Sequence, residues 1–421
     1  MDKSAVKDYL LERGHEAVPE MVPRELKIPR EEKFAVAVVG PRRSGKTYFF
    51  YQLMKEAGLK DSLYLNFEDT RLVDVGFREI RDVLRLYAEQ TGGMPKNLFF
   101  DEIQSVDRWE NAVRELFDTR RYRIYLTGSS SKLLSKEAAT QMRGRSLTYW
   151  FLPFSFREFL LAKKVPAGDV TLDQAGIIKH HLGEYLEYGG FPDVVYSSQK
   201  EKILKEYFDA ILYKDVIERH SVRNLHLVNQ IFRQLVTSYS KEFSIHAMYQ
   251  FFKSQNVKVS RDTINKYVNF FDDSVSVFTL KRHSDKPKQK EAWPRKVYLS
   301  DTGLSKVMRS ADDIGRLMEN AVFLELQRKK NKRSLLEIMY YKDPQGKEVD
   351  FLLKEAGETK ELMQVAYSSS KEDLRDAETK NLHAAAKKLG CENKTIVTWD
   401  YEGEKDGIKY APMWKWLLEP L

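Results

Sequence analysis

Eight residues, Gly40-Pro-Arg-Arg-Ser-Gly45-Lys46-Thr47, carry the pattern G-x-x-x-x-G-K-[ST] in full. Glycines let a backbone curl until successive N–H groups face one point, and a helix N-terminus adds its positive dipole end. Such a loop suits a phosphate chain. Lys46 then supplies a charge for the β- and γ-phosphates, and the Thr47 hydroxyl a Mg²⁺ ligand. Gly40, Pro41, Arg42, Arg43, Ser44, Gly45, Lys46, Thr47 and Tyr48 are the expected contacts of ATP. A second segment, Asn97-Leu-Phe-Phe-Asp101-Glu102, is an apolar run closing on two carboxylates. Asp101 is expected to hold Mg²⁺ through water, and Glu102 to polarise the attacking water as general base.

These groups need a sheet whose strand tips converge. Phe34–Val39, Leu63–Phe67, Leu98–Phe100, Arg123–Leu126 and Leu147–Phe151 read as strands, and their continuous apolar character predicts burial on both faces of a parallel sheet. Thr47–Lys55, Phe77–Glu89 and Trp109–Asp118 are the intervening helices, which gives an α/β layer. Residues 1–30 form a lead-in with a short helix from Val6 to Arg13. The α/β unit spans 31–155, a helical connector 156–240, a small helical unit with a hairpin 241–300, and a second α/β unit 301–421. In the last, Ile338–Tyr341, Val349–Leu353, Leu362–Val365 and Thr395–Trp399 are the expected strands.

The 421 residues allow two to four domains with ample core. With 42% hydrophobic and 31% charged residues, the composition excludes a disordered chain. No apolar run approaches the ~20 residues of a membrane helix, and no apolar secretory segment opens the chain. The single cysteine, Cys391, excludes an internal disulfide framework and fits a reducing cytoplasm. The net charge of +8 is mild, so it points to nucleic acid only where it clusters.

Gly40–Thr47, Phe99–Gln104, Leu126–Ser131, Leu152–Phe159 and Tyr185–Pro192 together resemble the AAA+-like P-loop ATPases of archaea and bacteria that carry an uncharacterised C-terminal domain. Tyr213-Lys-Asp215, Lys296–Leu304, Glu319-Asn320 and Glu348–Phe351 extend the resemblance over nearly all the chain past residue 30. It implies an α/β P-loop NTPase core of the AAA+ type, a helical middle, a winged helix and a C-terminal restriction-endonuclease-like domain. In that class the strand Arg123–Leu126 lies between the other two, and Thr127 or Ser129 at its tip resembles the γ-phosphate sensor. Arg145, or Arg143, resembles the arginine that reaches a neighbouring subunit's γ-phosphate. That role implies a homo-oligomer, a hexamer at the level of the family.

The winged-helix expectation has its own residue pattern. Ser260 is a good N-cap, and Ile264, Tyr267, Val268 and Phe271 make one apolar stripe. Arg261, Asn265, Lys266 and Asn269 then point outward, types that suit phosphate and base-edge contacts with DNA, and the basic run with Lys281, Arg282, Lys286, Lys288 and Lys290 is expected to make the wing. Arg295 and Lys296 extend that charge. In the last unit, Glu319 and Asp350 match two metal-binding acids of the nuclease fold. The third position reads Gln364-Val-Ala366, where Gln is a weaker ligand and Ala supplies no lysine charge. The module therefore reads as nuclease-inactive, unless Lys371 substitutes in space. The expected function is a Mg²⁺-dependent ATPase acting on duplex or branched DNA. The rivals are a regulatory or defence-type NTP switch on a protein partner, and an active ATP-dependent nuclease.

Overall fold

The computed structural model describes residues 1–28, 33–129, 142, 144–168, 171–284, 286, 293–308, 313–373 and 376–420. It divides into two compact units, Met1–Phe151 and Leu152–Leu421.

The first unit is a parallel sheet. Strands β1 (Ala35–Val39), β2 (Ser62–Asn66), β3 (Asn97–Asp101), β4 (Arg123–Gly128) and β5 (Ser146–Trp150) run in the order β2-β3-β4-β1-β5. All ten residues of β1 and β3 are buried, as continuous apolar runs require when helices cover both faces. The middle position of β4, expected from the resemblance, is found. Helix α1 (Lys3–His15) precedes the sheet and is longer than its Val6–Arg13 core, because the Asp2 side chain caps it. Helix α2 (Lys46–Ala57) buries Lys46, Phe49, Phe50 and Leu53, one face at helical spacing. Phe49 and Phe50 join Val36, Val38, Phe99, Tyr125 and Phe151 in one core. Phe99 stacks on Tyr125 at 4.6 Å, and Phe49 on Phe151 at 4.8 Å. Helices α3 (Ile80–Thr91) and α4 (Trp109–Asp118) complete the layer.

The second unit opens with helices between Phe156 and Thr237. Within the expected helical connector, one stretch is α-helical over Lys200–Ala210 and widens to a π-helix over Ile211–Glu218, where buried Asp215 meets Arg219 at 3.1 Å. A three-stranded antiparallel sheet follows, ordered β6 (Lys241–Phe243), β8 (Arg295–Leu299), β7 (Val277–Leu280). Helices Ile245–Ser254 and Arg261–Asp273 sit between β6 and β7 in the chain. A mixed six-stranded sheet ends the chain: β9 (Leu336–Lys342), β10 (Glu348–Glu355), β11 (Glu358–Ala366), β12 (Lys394–Thr398), β13 (Gly403–Lys405) and β14 (Ile408–Pro412), ordered β13-β14-β12-β11-β10-β9. Helix Ile314–Lys329 is buried over most of its circumference.

Two motifs that mark the family resemblance meet in a clasp within this unit. Asp301 accepts from the backbone N–H of Gly190 at 2.7 Å and of Gly303 at 2.9 Å. A Cβ on Gly189 would stand 1.6 Å from Asp301 Oδ1, which explains the glycine there. Burial pushes the Asp301 carboxyl up to about 7 against those two hydrogen bonds. These residues make architecture rather than chemistry.

Candidate nucleotide-binding site

The loop from Gly40 to Gly45 joins β1 to α2. Gly40 is imposed by packing: a Cβ there would lie 1.8 Å from the Phe151 carbonyl oxygen. Gly45 starts α2 at φ +93°. Lys46 Nζ donates to the carbonyls of Gly40 and Pro41, both at 3.0 Å, and stands 3.5 Å from Glu102 Oε1. Ser44 Oγ is buried with no partner among the described residues. The loop therefore holds a lysine, a hydroxyl and a helix N-terminus converging on one point, a donor set that fits a phosphate chain. The oxygens of Thr47 and Asp101 are the hard ligands that Mg²⁺ takes.

Around Asp101 the geometry is dense. Oδ2 accepts from Thr47 Oγ1 at 2.7 Å and from Tyr64 OH at 2.7 Å, and Oδ1 accepts from Thr127 Oγ1. Burial, then the neighbouring charge of Glu102, pushes the Asp101 carboxyl up, and the three hydroxyls oppose it. Glu102 is at φ +51° and closes β3. Its Oε2 accepts from Ser129 N at 3.1 Å, Ser129 Oγ at 2.9 Å and Gln104 Nε2. Burial raises the Glu102 carboxyl, but the Lys46 and Arg42 charges outweigh it and bring it down to about 2. Thr127 Oγ1 also accepts from Glu102 N at 3.1 Å, so one hydroxyl ties both acids to the tip of β4. Arg42 pairs with Glu68 at 2.9 Å, Arg43 takes φ +64°, and Tyr48 is exposed. Arg145 pairs with Asp118; Arg143 lies outside the described residues.

Three contributors escape a sequence reading. Tyr64 sits in an apolar strand and passes for core. Gln104 closes the Phe99–Gln104 segment of the resemblance, which gives it no role of its own. Arg24, in the lead-in, donates to the Ser44 carbonyl at 2.9 Å and covers the Phe151 ring at 3.9 Å. Tyr9 of α1 is further removed: its OH accepts from Asn66 N at 2.9 Å and donates to the Tyr64 carbonyl at 3.4 Å.

In the second unit, Arg261, Asn265, Lys266 and Asn269 are exposed on the helix capped by Ser260, whose side chain accepts from Thr263 N at 3.1 Å. Ile264, Val268 and Phe271 are buried beneath. Lys286 is exposed and Lys281 half-buried; Lys288 and Lys290 lie outside the described residues. Arg282 Nε donates to the Lys342 carbonyl at 3.1 Å, and its guanidinium lies 4.0 Å over Trp293. Lys296 is not part of a basic surface. It is 3% exposed and turned inward onto Glu319 and Asp350, because three carboxylates offer its ammonium a lower energy than the face it was expected on. Gln364 Oε1 accepts from Asp350 N at 3.2 Å. Lys371 is exposed, whereas Asp350 is buried.

A parallel sheet with this loop and these acids defines a P-loop NTPase of the AAA+ ATPase fold, and residues 32–160 match the family described as AAA domain. Residues 179–314 and 314–416 match two domains of unknown function, DUF8612 and DUF4143. The chain belongs to the family of an uncharacterized protein of Methanocaldococcus jannaschii, with 37% identity over 413 residues, 94% of this chain and 89% of that protein. An uncharacterized protein of Haemophilus influenzae is 29% identical over 93% of this chain and 96% of its own. Among solved structures, the Aeropyrum pernix ORC1 protein in complex with DNA is 10% identical, covering 77% of this chain and 94% of its own, with a TM-score of 0.31. The Thermotoga maritima RuvB Holliday junction branch migration motor is 14% identical, covering 69% and 94%, with a TM-score of 0.29. Scores this low transfer nothing to this chain. Among the described residues no helix is long and apolar enough to cross a membrane.

Proposed function

We propose that this chain is a Mg²⁺-dependent ATP hydrolase that couples its nucleotide cycle to DNA. The observation that carries the ATPase half is the 2.7 Å contact of Thr47 with Asp101, beside a Lys46 ammonium resting on two backbone carbonyls. Bound Mg²⁺ would supply neutralisation of phosphate charge. The residues do the rest. Lys46 leaves the Gly40 and Pro41 carbonyls for phosphate oxygens. Thr47, through its hydroxyl, and Asp101, through water, would hold that ion. Glu102 stays ionised and accepts the water proton at Oε1, since Oε2 is already taken by Ser129 and Gln104. Thr127 and Ser129 keep both acids at the strand tips. Arg145 or Arg143 of a neighbouring copy completes the site in a homo-oligomer, with a hexamer as the family-level expectation.

The DNA half rests on the outward row Arg261, Asn265, Lys266 and Asn269, with Lys281 and Lys286 beyond it. We read residues 241–300 as a winged helix and 301–421 as a non-cleaving restriction-endonuclease-like module. The competing reading is a slow NTP switch acting on a protein partner. ATPase rates with and without duplex, single-stranded and branched DNA, with Glu102→Gln as control, decide between them. Stimulation with salt-dependent binding supports the coupling to DNA; a rate indifferent to every DNA favours the switch.

A further inference from the structure

The carboxylates of the second unit meet around one ammonium. Helix Ile314–Lys329 contributes Glu319, strand β10 contributes Glu348 and Asp350, and strand β8 contributes Lys296. Lys296 Nζ lies 2.9 Å from Glu319 Oε1, 2.9 Å from Asp350 Oδ1 and 2.6 Å from Glu348 Oε1. Two of the remaining oxygens are also engaged, and Glu319 Oε1 takes a second donor. Tyr298 OH donates to Glu319 Oε1 at 2.6 Å, Val365 N donates to Asp350 Oδ2 at 3.0 Å, and Lys342 Nζ stands 3.4 Å from Glu348 Oε2.

We propose that Lys296 is the built-in cation of this centre: its ammonium holds the position among Glu319, Glu348 and Asp350 that a divalent metal would need, so the chain takes no metal there. The proposal rests on the reading of residues 301–421 as a non-cleaving nuclease-like module and supplies its cause. A divalent ion wants the same carboxylate oxygens at about 2.0–2.6 Å. It cannot share them with an ammonium at this range without strong like-charge repulsion. The lysine is bonded to the chain, cannot diffuse away and is 3% exposed, so a metal would have to swing a buried side chain out against three acids. Among the described residues, no group of three or more His, Cys, Asp or Glu is arranged to hold a metal ion. The same ammonium ties β8, the helix and β10 together, elements far apart in the chain.

The test titrates the nucleotide-free full chain with Mn²⁺, read by electron paramagnetic resonance and calorimetry, in wild type, Asp350→Asn and Lys296→Met. Wild type and Asp350→Asn should give superimposable isotherms. Lys296→Met should gain one Mn²⁺ per chain, at least about tenfold tighter than any wild-type binding, and lose it when Asp350→Asn is added. A folded Lys296→Met protein with no gained site overturns the proposal. So does one Mn²⁺ per chain in wild type that Asp350→Asn removes, a comparison that stands if Lys296→Met fails to fold. Plasmid incubation with Mn²⁺ separates the two readings. Wild-type Mn²⁺ binding without cutting sinks the Lys296 proposal alone; cutting abolished by Asp350→Asn sinks the non-cleaving reading with it.

Discussion

Each unit buries a lysine among acids, and the two lysines are held in opposite ways. Lys46 leans on two backbone carbonyls at 3.0 Å and sees one carboxylate at 3.5 Å. Lys296 is gripped by three carboxylates between 2.6 and 2.9 Å. Neutral acceptors release an ammonium to a better anion at small cost, and clustered carboxylates do not. The same side chain is thus a ligand-seeking charge in one unit and a fixed strut in the other. Burial alone does not separate them, since Lys46 is 5% and Lys296 3% exposed.

The contrast breaks or sharpens under substitution. Lys46→Ala should lower ATP hydrolysis by roughly 10³-fold or more and abolish nucleotide binding, measured by phosphate release and a fluorescent ATP analogue. Glu102→Gln should cost about 10²–10⁴-fold in kcat while analogue binding stays within a few-fold, since the amide keeps the shape and loses the base. Lys296→Met should strip the shared ammonium from three acids, leaving Glu348 only its contact with Lys342, and destabilise the protein by about 3–5 kcal/mol in urea unfolding. A loss under about 1 kcal/mol would mean that the strut carries no load.

The pH response follows from Glu102. Its carboxyl is brought down to about 2 from 4.5. A depressed acid contributes stability that is present above its ordinary value and lost as pH falls through the folded one. That contribution is roughly 3 kcal/mol, disappearing between pH 5 and 2. Glu102→Gln should flatten that part of the stability curve in urea titrations at stepped pH. The smallest effect belongs to Tyr64→Phe. Removing one of three hydroxyls from Asp101 should cost about 1 kcal/mol, read as a roughly fivefold higher Mg²⁺ requirement for half-maximal rate, with kcat at saturating Mg²⁺ within about twofold.

The nucleotide loop and its acids are legible because their chemistry is local: Gly40 to Thr47 and Asp101-Glu102 are contiguous, and each sits where an apolar strand ends. The strands of the five- and six-stranded sheets are legible for the same reason, except β13, Gly403-Glu404-Lys405, and β14, whose burial alternates with a lysine. What sequence hides is long-range pairing. Tyr64 stands 37 residues from Asp101, and Lys296 stands 54 from Asp350. Nothing in a basic stretch ending Arg295-Lys296 signals that Arg295 is half-buried while Lys296 is fully buried against Glu319 and Asp350.

The helix Lys3–His15 places Tyr9, fully buried, with its hydroxyl on Asn66 N and on the Tyr64 carbonyl, at the edge strand of the first sheet. The stretch matched by the AAA domain starts later, at residue 32. A shortened protein beginning there would strip a tyrosine plug from β2 and bare an unpaired strand amide beside the residue that steadies Asp101. The working minimum of this enzyme-like unit therefore begins at its first helix, upstream of where family boundaries would cut.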